Sequence, residues 1–317
     1  MSDHFRDGRF FNPHDPSPHG FSQLLKWRRT RTAPPPWKDQ PVTPVKPPPR
    51  VQGPELRATF VGHSTVLIQW EGLNLLTDPV WADRASPLDF AGPRRFSPPG
   101  VKMEDLPPID AVILSHNHYD HLDEAAVKAL KARHNPQFFV PLGVAEWFRR
   151  RGMSRVVELD WWQSSPFLGF TFHAVPVQHF SGRGPFDNNT TLWVGWVVET
   201  PSGRLFFAGD TGYSPDFAEI GRHFAPFRLA LIPIGAYEPR WFMGPVHIDP
   251  AQAVQVHRDV GALQSLGIHF GTFPLADDPQ DEPPRLLKET LIHQGLSLDS
   301  FVTLPPGGHL VVPPMEE

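Results

Sequence analysis

Cysteine is absent from all 317 positions. That excludes a disulfide framework, a thiolate metal site and a cysteine nucleophile, so any metal held by this chain must be held by nitrogen and oxygen. Long hydrophobic runs are missing as well. No stretch approaches the roughly 18 apolar residues of a spanning helix, and the opening "MSDHFRDGRFFNPHD" has no apolar segment of the kind a secretory leader carries. The expectation is a soluble, cytoplasmic protein. The chain carries no nucleic-acid-binding module, so no nucleic-acid partner is expected. It has no internal repeat at a fixed short period.

What is present reads as a globular protein: 40% of the residues are apolar and 20% are charged. The length suffices for one large domain, or two small ones, with a proper core. The formal charge of −5 hides an asymmetry. Residues 1–50 hold nine Lys or Arg against four Asp, and the remainder holds 20 basic against 30 acidic groups. A basic arm on an acidic body suits an anionic surface such as a membrane, although a solvated tail gives the same pattern. Proline is abundant, and eleven of the 39 fall within residues 1–50, in runs such as "KPPPR". Prolines that dense exclude helix and central strand and leave an extended arm or linker, with one patch that differs. The expected division is therefore a proline-rich basic arm over 1–50 and a folded domain over 51–317. Within the arm, "GFSQLLKWRRTR" sets Phe21, Leu24, Leu25 and Trp27 beside Lys26, Arg28, Arg29 and Arg31. A short helix there has an apolar side that either lies in a membrane interface or anchors the arm on the body.

From residue 56 onward strands and helices alternate. "LRATFVGHSTVLIQWEGLNLLTDPVW" reads as two or three strands with a turn at "EGLN". "LDEAAVKALKARH" is an amphipathic helix capped by Asp123, with Ala126, Val127 and Leu130 facing inward. "GVAEWFRRRG" is a helix closed by Gly152, and "DPAQAVQVHRDV" a helix capped by Asp249 with Pro250 in its first position. The pattern predicts an α/β domain with sheets inside and helices outside. Strands repeatedly end in a histidine or an aspartate: His116 after "AVILS", His179 after "AVPVQ", Asp210 after "LFFAG" and His269 after "LGI". Sites collect where strand ends meet loops.

The stretch "SHNHYDHLD" concentrates this chemistry. His116, His118, Asp120 and His121 are four ligand-type residues in six positions. Imidazole and carboxylate suit Zn²⁺, Fe²⁺ or Mn²⁺. In an extended loop His116 and His118 point the same way, while Asp120 and His121 turn toward a second point. One loop can thus serve two metals roughly 3.5–4 Å apart. It cannot complete both, and His179, Asp210 and His269 are available. Read singly, His179 or His269 is an ordinary hydrogen-bonded strand-end residue; the cluster gives them a different meaning.

The chain resembles the metallo-β-lactamase superfamily through "HNHYDH" and the later strand-end His, Asp and His. Through "ATFVGHSTVLI", "LLTDPVW", "GPRRF", "ELDWW", "FFAGDTGY", "IGAYEPRWFM", "VHIDPAQAV" and "IHFGTF" it is similar to the branch of phospholipases D that hydrolyse N-acyl-phosphatidylethanolamine. The likeness runs from about Arg57 to Thr303. It implies a four-layer αββα sandwich with a dimetal site at the sheet edge. It implies one zinc on His116, His118 and His179, a second on Asp120, His121 and His269, and Asp210 between them. Asp78 would orient a ligand histidine, and His247 would stand near the metals as a proton donor or a hydrogen-bond donor to phosphate. The implied reaction is release of phosphatidic acid and an N-acylethanolamine from a phospholipid, with hydroxide formed between the cations attacking phosphorus. A homodimer is implied by the same analogy. The loop "QHFSGRGPFDNNTTLW" matches least well in the core, and the arm matches only at "RFFNP". The alternative is a hydrolase on the same site acting on a soluble phosphodiester or a lactone.

Overall fold

The apolar runs form two seven-stranded sheets. The structure, a computed structural model, describes residues 2–14, 21–31 and 34–314; the side chain of Phe21 lies outside the described residues. The first sheet contains β3 (Leu56–Gly62), β4 (Thr65–Trp70), β5 (Leu73–Thr77), β6 (Ala111–Ile113), β7 (Gln137–Pro141), β8 (Val156–Leu159) and β16 (His309–Val312), in the order β16-β3-β4-β5-β6-β7-β8. The second contains β9 (Ser164–Phe167), β10 (Phe170–Val175), β11 (Gly195–Thr200), β12 (Gly203–Phe207), β13 (Leu229–Pro233), β14 (Ser265–Ile268) and β15 (Phe301–Val302), in the order β15-β14-β13-β12-β11-β10-β9. Each sheet is antiparallel in one half and parallel in the other. The β4–β5 hairpin turns on Glu71 and Gly72, whose positive φ of 47° and 79° match a two-residue loop between twisted strands.

Side-chain alternation along the strands sets the layers. Val66, Ile68 and Trp70 of β4 and Phe139 of β7 pack toward the second sheet, against residues such as Phe172, Trp196 and Phe206. Their neighbours Leu67, Phe138 and Val140 face the other way, onto Val127 and Leu130 of α2 (Glu124–Arg133) and Phe148 of α3 (Ala145–Arg149). The second sheet is covered by α4 (Asp216–Phe224), α6 (Pro250–Asp259) and α7 (Glu282–His293), which bury Phe217, Val254 and Leu287. The result is the expected helix–sheet–sheet–helix sandwich.

Caps fall where the residue types require them. Asp123 accepts from the amides of Ala125 and Ala126 through Oδ1 and from those of Trp81 and Ala82 through Oδ2. A cap of this kind is worth about 1 kcal/mol, and here it also ties the loop after β5 to the helix after the histidine loop. Asp249 and Gln252 form a reciprocal capping box ahead of α6. The helix expected through Gly152 is shorter than its sequence suggests. It ends at Arg149, because the following amides close on carbonyls three residues back, Arg151 onto Phe148 and Gly152 onto Arg149. Helix α4, nine residues with Phe217 and Ile220 on its buried face, was not picked out from the sequence although it is amphipathic, and the short strands β9, β15 and β16 were not anticipated either.

The N-terminal segment wraps the sandwich. A small hairpin of β1 (Phe5–Arg6) and β2 (Arg9–Phe10) buries Phe10 and stacks His4 on Trp161 at 3.8 Å. Helix α1 (Phe21–Thr30) is anchored by Trp27, whose Nε1 donates to Asp277 Oδ2 at 2.7 Å and whose ring stacks on Phe242. Its Lys26, Arg28 and Arg29 are exposed. Residues 34–50 run extended along the body, bonded through Gln40 N to Phe96 O and Val45 N to Gly100 O. No helix among the described residues is long and apolar enough to cross a membrane.

Candidate metal centre

The C-terminal ends of β3, β5, β6, β10, β12 and β14 meet on one rim of the sandwich, where both sheets contribute. The rim thus receives His63 after β3, Asp78 after β5, Ser115 to His121 after β6, His179 after β10, Asp210 after β12 and His269 after β14. Strand carboxyl ends are where α/β sheets place their ligands. The sheets come close here because position 209 is a glycine at φ +62°; a Cβ there would stand 2.5 Å from the Cβ of Ser115.

Every site residue expected from the sequence lies in this cluster. His116, His118 and His179 form one triad, each offering a ring nitrogen within 4.8 Å of the others. Asp120, His121 and His269 form a second group on the same criterion, joined by His63. Asp210 faces both. Its Oδ2 lies 3.1 Å from His121 Nε2, 3.0 Å from His269 Nε2 and 3.8 Å from His179 Nε2. His247 is half-buried at the edge, its ring centroid 5.2 Å from that of His179 and 5.4 Å from that of His269.

The surrounding bonds fix which nitrogen of each ring points inward. His121 Nδ1 donates to Asp78 Oδ2 at 2.6 Å, which leaves Nε2 toward Asp210 and Asp120. Asp78 is fully buried and also accepts from the amide and hydroxyl of Ser115; it lies within the same ligand-distance range of His116 and His121. His179 Nδ1 donates to Val246 O at 2.9 Å, again leaving Nε2 inward. His247, just past the short helix α5 (Arg240–Met243), is held through its amide to Met243 O and its carbonyl to Arg240 Nη1. His63 was not singled out from the sequence. It carries the same signal as the others, a histidine closing an apolar strand in "FVGHS", and its Nε2 lies 3.1 Å from Asp120 Oδ2.

Burial separates the histidines into two electrostatic groups. It pushes His118 down to about 4 and holds His116 and His179 well below the ordinary imidazole range. It does the same to His63, to about 3, and to His247, to about 4. Burial also works against charge on His121 and His269, but the neighbouring carboxylates overcome it: Asp210, Asp120 and Asp78 hold His121 well above its usual value, and Asp210 with Asp120 lifts His269 to about 9. Burial alone would raise Asp120 and Asp210; His121 leads the charges that hold both well below the usual carboxylate range.

The donor set fits a pair of divalent cations. Nitrogen and carboxylate oxygen are the ligands that zinc, iron and manganese take. The inward His179 Nε2 and Asp210 Oδ1 are buried and have no hydrogen-bond partner among the described residues, which is costly for a polar atom unless something else satisfies it.

Comparison with known proteins places the chain in a family. Residues 73–270 match the profile of the Beta-lactamase superfamily domain. The chain is 47% identical over 266 residues to N-acyl-phosphatidylethanolamine-hydrolyzing phospholipase D 1 of Caenorhabditis elegans, covering 80% of this chain and 74% of that one. It is 34% identical over 238 residues to the mitochondrial N-acyl-phosphatidylethanolamine-hydrolyzing phospholipase D of Saccharomyces cerevisiae, covering 73% of this chain and 50% of that one. The fold is shared with a metallo hydrolase of the archaeon Ignicoccus hospitalis at a TM-score of 0.61 and 20% identity, covering 82% and 99% of the two chains.

The two electrostatic groups give a measurable consequence. Burial favours the uncharged rings of the His116–His118–His179 triad, whereas the neighbouring carboxylates favour the charged rings of His121 and His269. Titration of metal-free protein with zinc, in buffers of different ionisation heat, should show proton release on loading the second group only. Its affinity should fall about tenfold per pH unit for each proton displaced as pH drops from about 8 to about 6. Equal proton release at both groups would contradict the division.

Proposed function

The chain belongs to the metallo-β-lactamase superfamily, and from that premise we propose that it is a zinc-dependent phosphodiesterase of phospholipase D type, hydrolysing N-acyl-phosphatidylethanolamine to phosphatidic acid and an N-acylethanolamine. The observation that carries this reading is Asp210, one buried carboxylate facing two triads of ligand-type side chains at distances of 3.0 to 3.8 Å. The 47% identity to the nematode phospholipase supports the substrate class.

In this reading His116, His118 and His179 would hold one cation and Asp120, His121 and His269 the other, with Asp210 facing both groups. Two such cations supply a water of lowered pKa and charge neutralisation at a phosphoryl oxygen. The chain supplies the rest. Asp78 and the Val246 carbonyl fix the tautomers of His121 and His179. His247, lowered to about 4 by burial, is neutral at physiological pH. It therefore serves as a neutral N–H donor to the phosphate or the departing oxygen, and is not a standing imidazolium acid. Phe180, 37% exposed, lies against His118 and His179 and offers apolar surface beside the ligands for an acyl chain. The exposed Lys26, Arg28 and Arg29 of α1, anchored by Trp27 to the segment that leads to His247, suit anionic headgroups.

Incubation with N-acyl-phosphatidylethanolamine in mixed micelles should yield both products, and chelator should abolish their release. A zinc-loaded protein that releases neither, yet cleaves a soluble diester or lactone, would move the substrate away from lipid. His247→Ala should keep both metals and lose on the order of 10²-fold in turnover, as for a lost transition-state donor; turnover near that of the parent would remove this role. Charge reversal at Arg28 and Arg29 should weaken pelleting with anionic vesicles at unchanged metal content, each basic residue near the surface being worth about 1 kcal/mol. Unchanged pelleting would exclude the headgroup contact.

A further inference from the structure

Residues 9–12 of the N-terminal segment reach the metal centre from 167 positions away in sequence. Asn12 Nδ2 donates to the carbonyl of His179 at 2.8 Å, and Asn12 Oδ1 accepts from Trp193 Nε1 at 3.1 Å. The same indole N–H donates to Val177 O at 2.9 Å, two residues before His179. His179 itself lies past the end of β10, outside the sheet ladder. The chain just before it is held by Gln178, bonded to Gly212 and Thr211, and its own carbonyl is held by Asn12.

The same segment grips the far end of the loop that starts at His179. Phe10, buried in the core, donates its amide to Asn189 O at 2.8 Å. The guanidinium of Arg9 bonds the carbonyls of Asn188 and Phe186. Between these two grips the loop bears on the ligands. Gly182 N donates to Asn117 Oδ1 at 2.7 Å, and Arg183 Nη1 donates to the carbonyls of Asn117 and Leu122 at 2.8 Å each. Asn117 lies between His116 and His118.

We propose that the N-terminal hairpin is a built part of the metal centre, with Asn12 a positioning residue that fixes His179 through its carbonyl, so that the hairpin and the cation at His179 bind cooperatively. The inference rests on His179 holding a cation. Outer partners of ligand histidines commonly set metal affinity by 10- to 100-fold, and Asn12 acts on the backbone of one.

Three variants and one experiment on the unaltered protein test this. Asn12→Asp keeps the acceptor for Trp193 but sets an oxygen against the His179 carbonyl; Asn12→Ala removes both bonds; Arg6→Ala alters an exposed position of the same hairpin. Chelator competition should show cation affinity lowered about 10-fold or more in both Asn12 variants and unchanged in Arg6→Ala. The visible absorption of the cobalt-loaded Asn12 variants should shift from that of the parent. In the unaltered protein, linkage requires the converse: the amides of Phe10 and Asn189 should gain protection from hydrogen exchange on metal loading, beyond any gain in the β3–β4 ladder. Parent affinity and an unshifted spectrum in Asn12→Asp would overturn the proposal, as would Phe10 exchange that ignores metal. Unaltered protein that takes up no metal overturns it together with the reading of the centre, a result distinct from normal uptake with indifferent variants.

Discussion

The buried carboxylate of Asp210 is the constraint around which the rest is arranged. An isolated ionised carboxylate in a protein interior is costly by several kcal/mol unless charges and hydrogen bonds surround it. Asp210 meets that requirement by facing His121, His269 and His179 from both sheets at once. To bring those rings together, the strands that precede them must end on one rim, and the chain after β12 must pass close to the chain after β6. The Gly209 turn against Ser115 makes that approach possible.

Some of the backbone's departures from its easy conformations fall on this rim, others at turns elsewhere in the fold. His63, Asp78 and His269 have φ of 56°, 25° and 60°. Non-glycine residues in that region cost of order 1–3 kcal/mol each and persist only where surroundings over-determine them. Here they are over-determined: His269 N donates to His63 O, His63 N to Thr272 Oγ1, and Asp78 N to Ile113 O. At these residues backbone strain and the buried polar network therefore sit at the same rim, where side chains must converge on a ligand rather than on each other.

Much of this was legible in the sequence because it rests on local signals. A buried strand followed by four ligand-type residues is visible as text, and so is a histidine or aspartate closing an apolar run. His63 shows how the same signal is overlooked when it stands alone, since one strand-end histidine is unremarkable until others surround it. Asp123 and Asp249 could be assigned as caps because capping is settled within four residues. What the text could not carry is contact between distant segments. The proline-rich segment read as an extended arm by composition, and nothing in its sequence told that Phe10 enters the core or that Asn12 bonds to His179. Nor could the text reveal that burial keeps His247 neutral, since that depends on what encloses the ring.

The claim at the centre of this account is that two cations flank Asp210. The most direct measurement is an anomalous difference map from crystals of the zinc-loaded protein, recorded on either side of the zinc absorption edge. The account predicts two peaks roughly 3.5–4 Å apart, one against His116, His118 and His179, the other against Asp120, His121 and His269, with Asp210 between them. A single peak, or peaks that leave Asp210 without a cation, would contradict it.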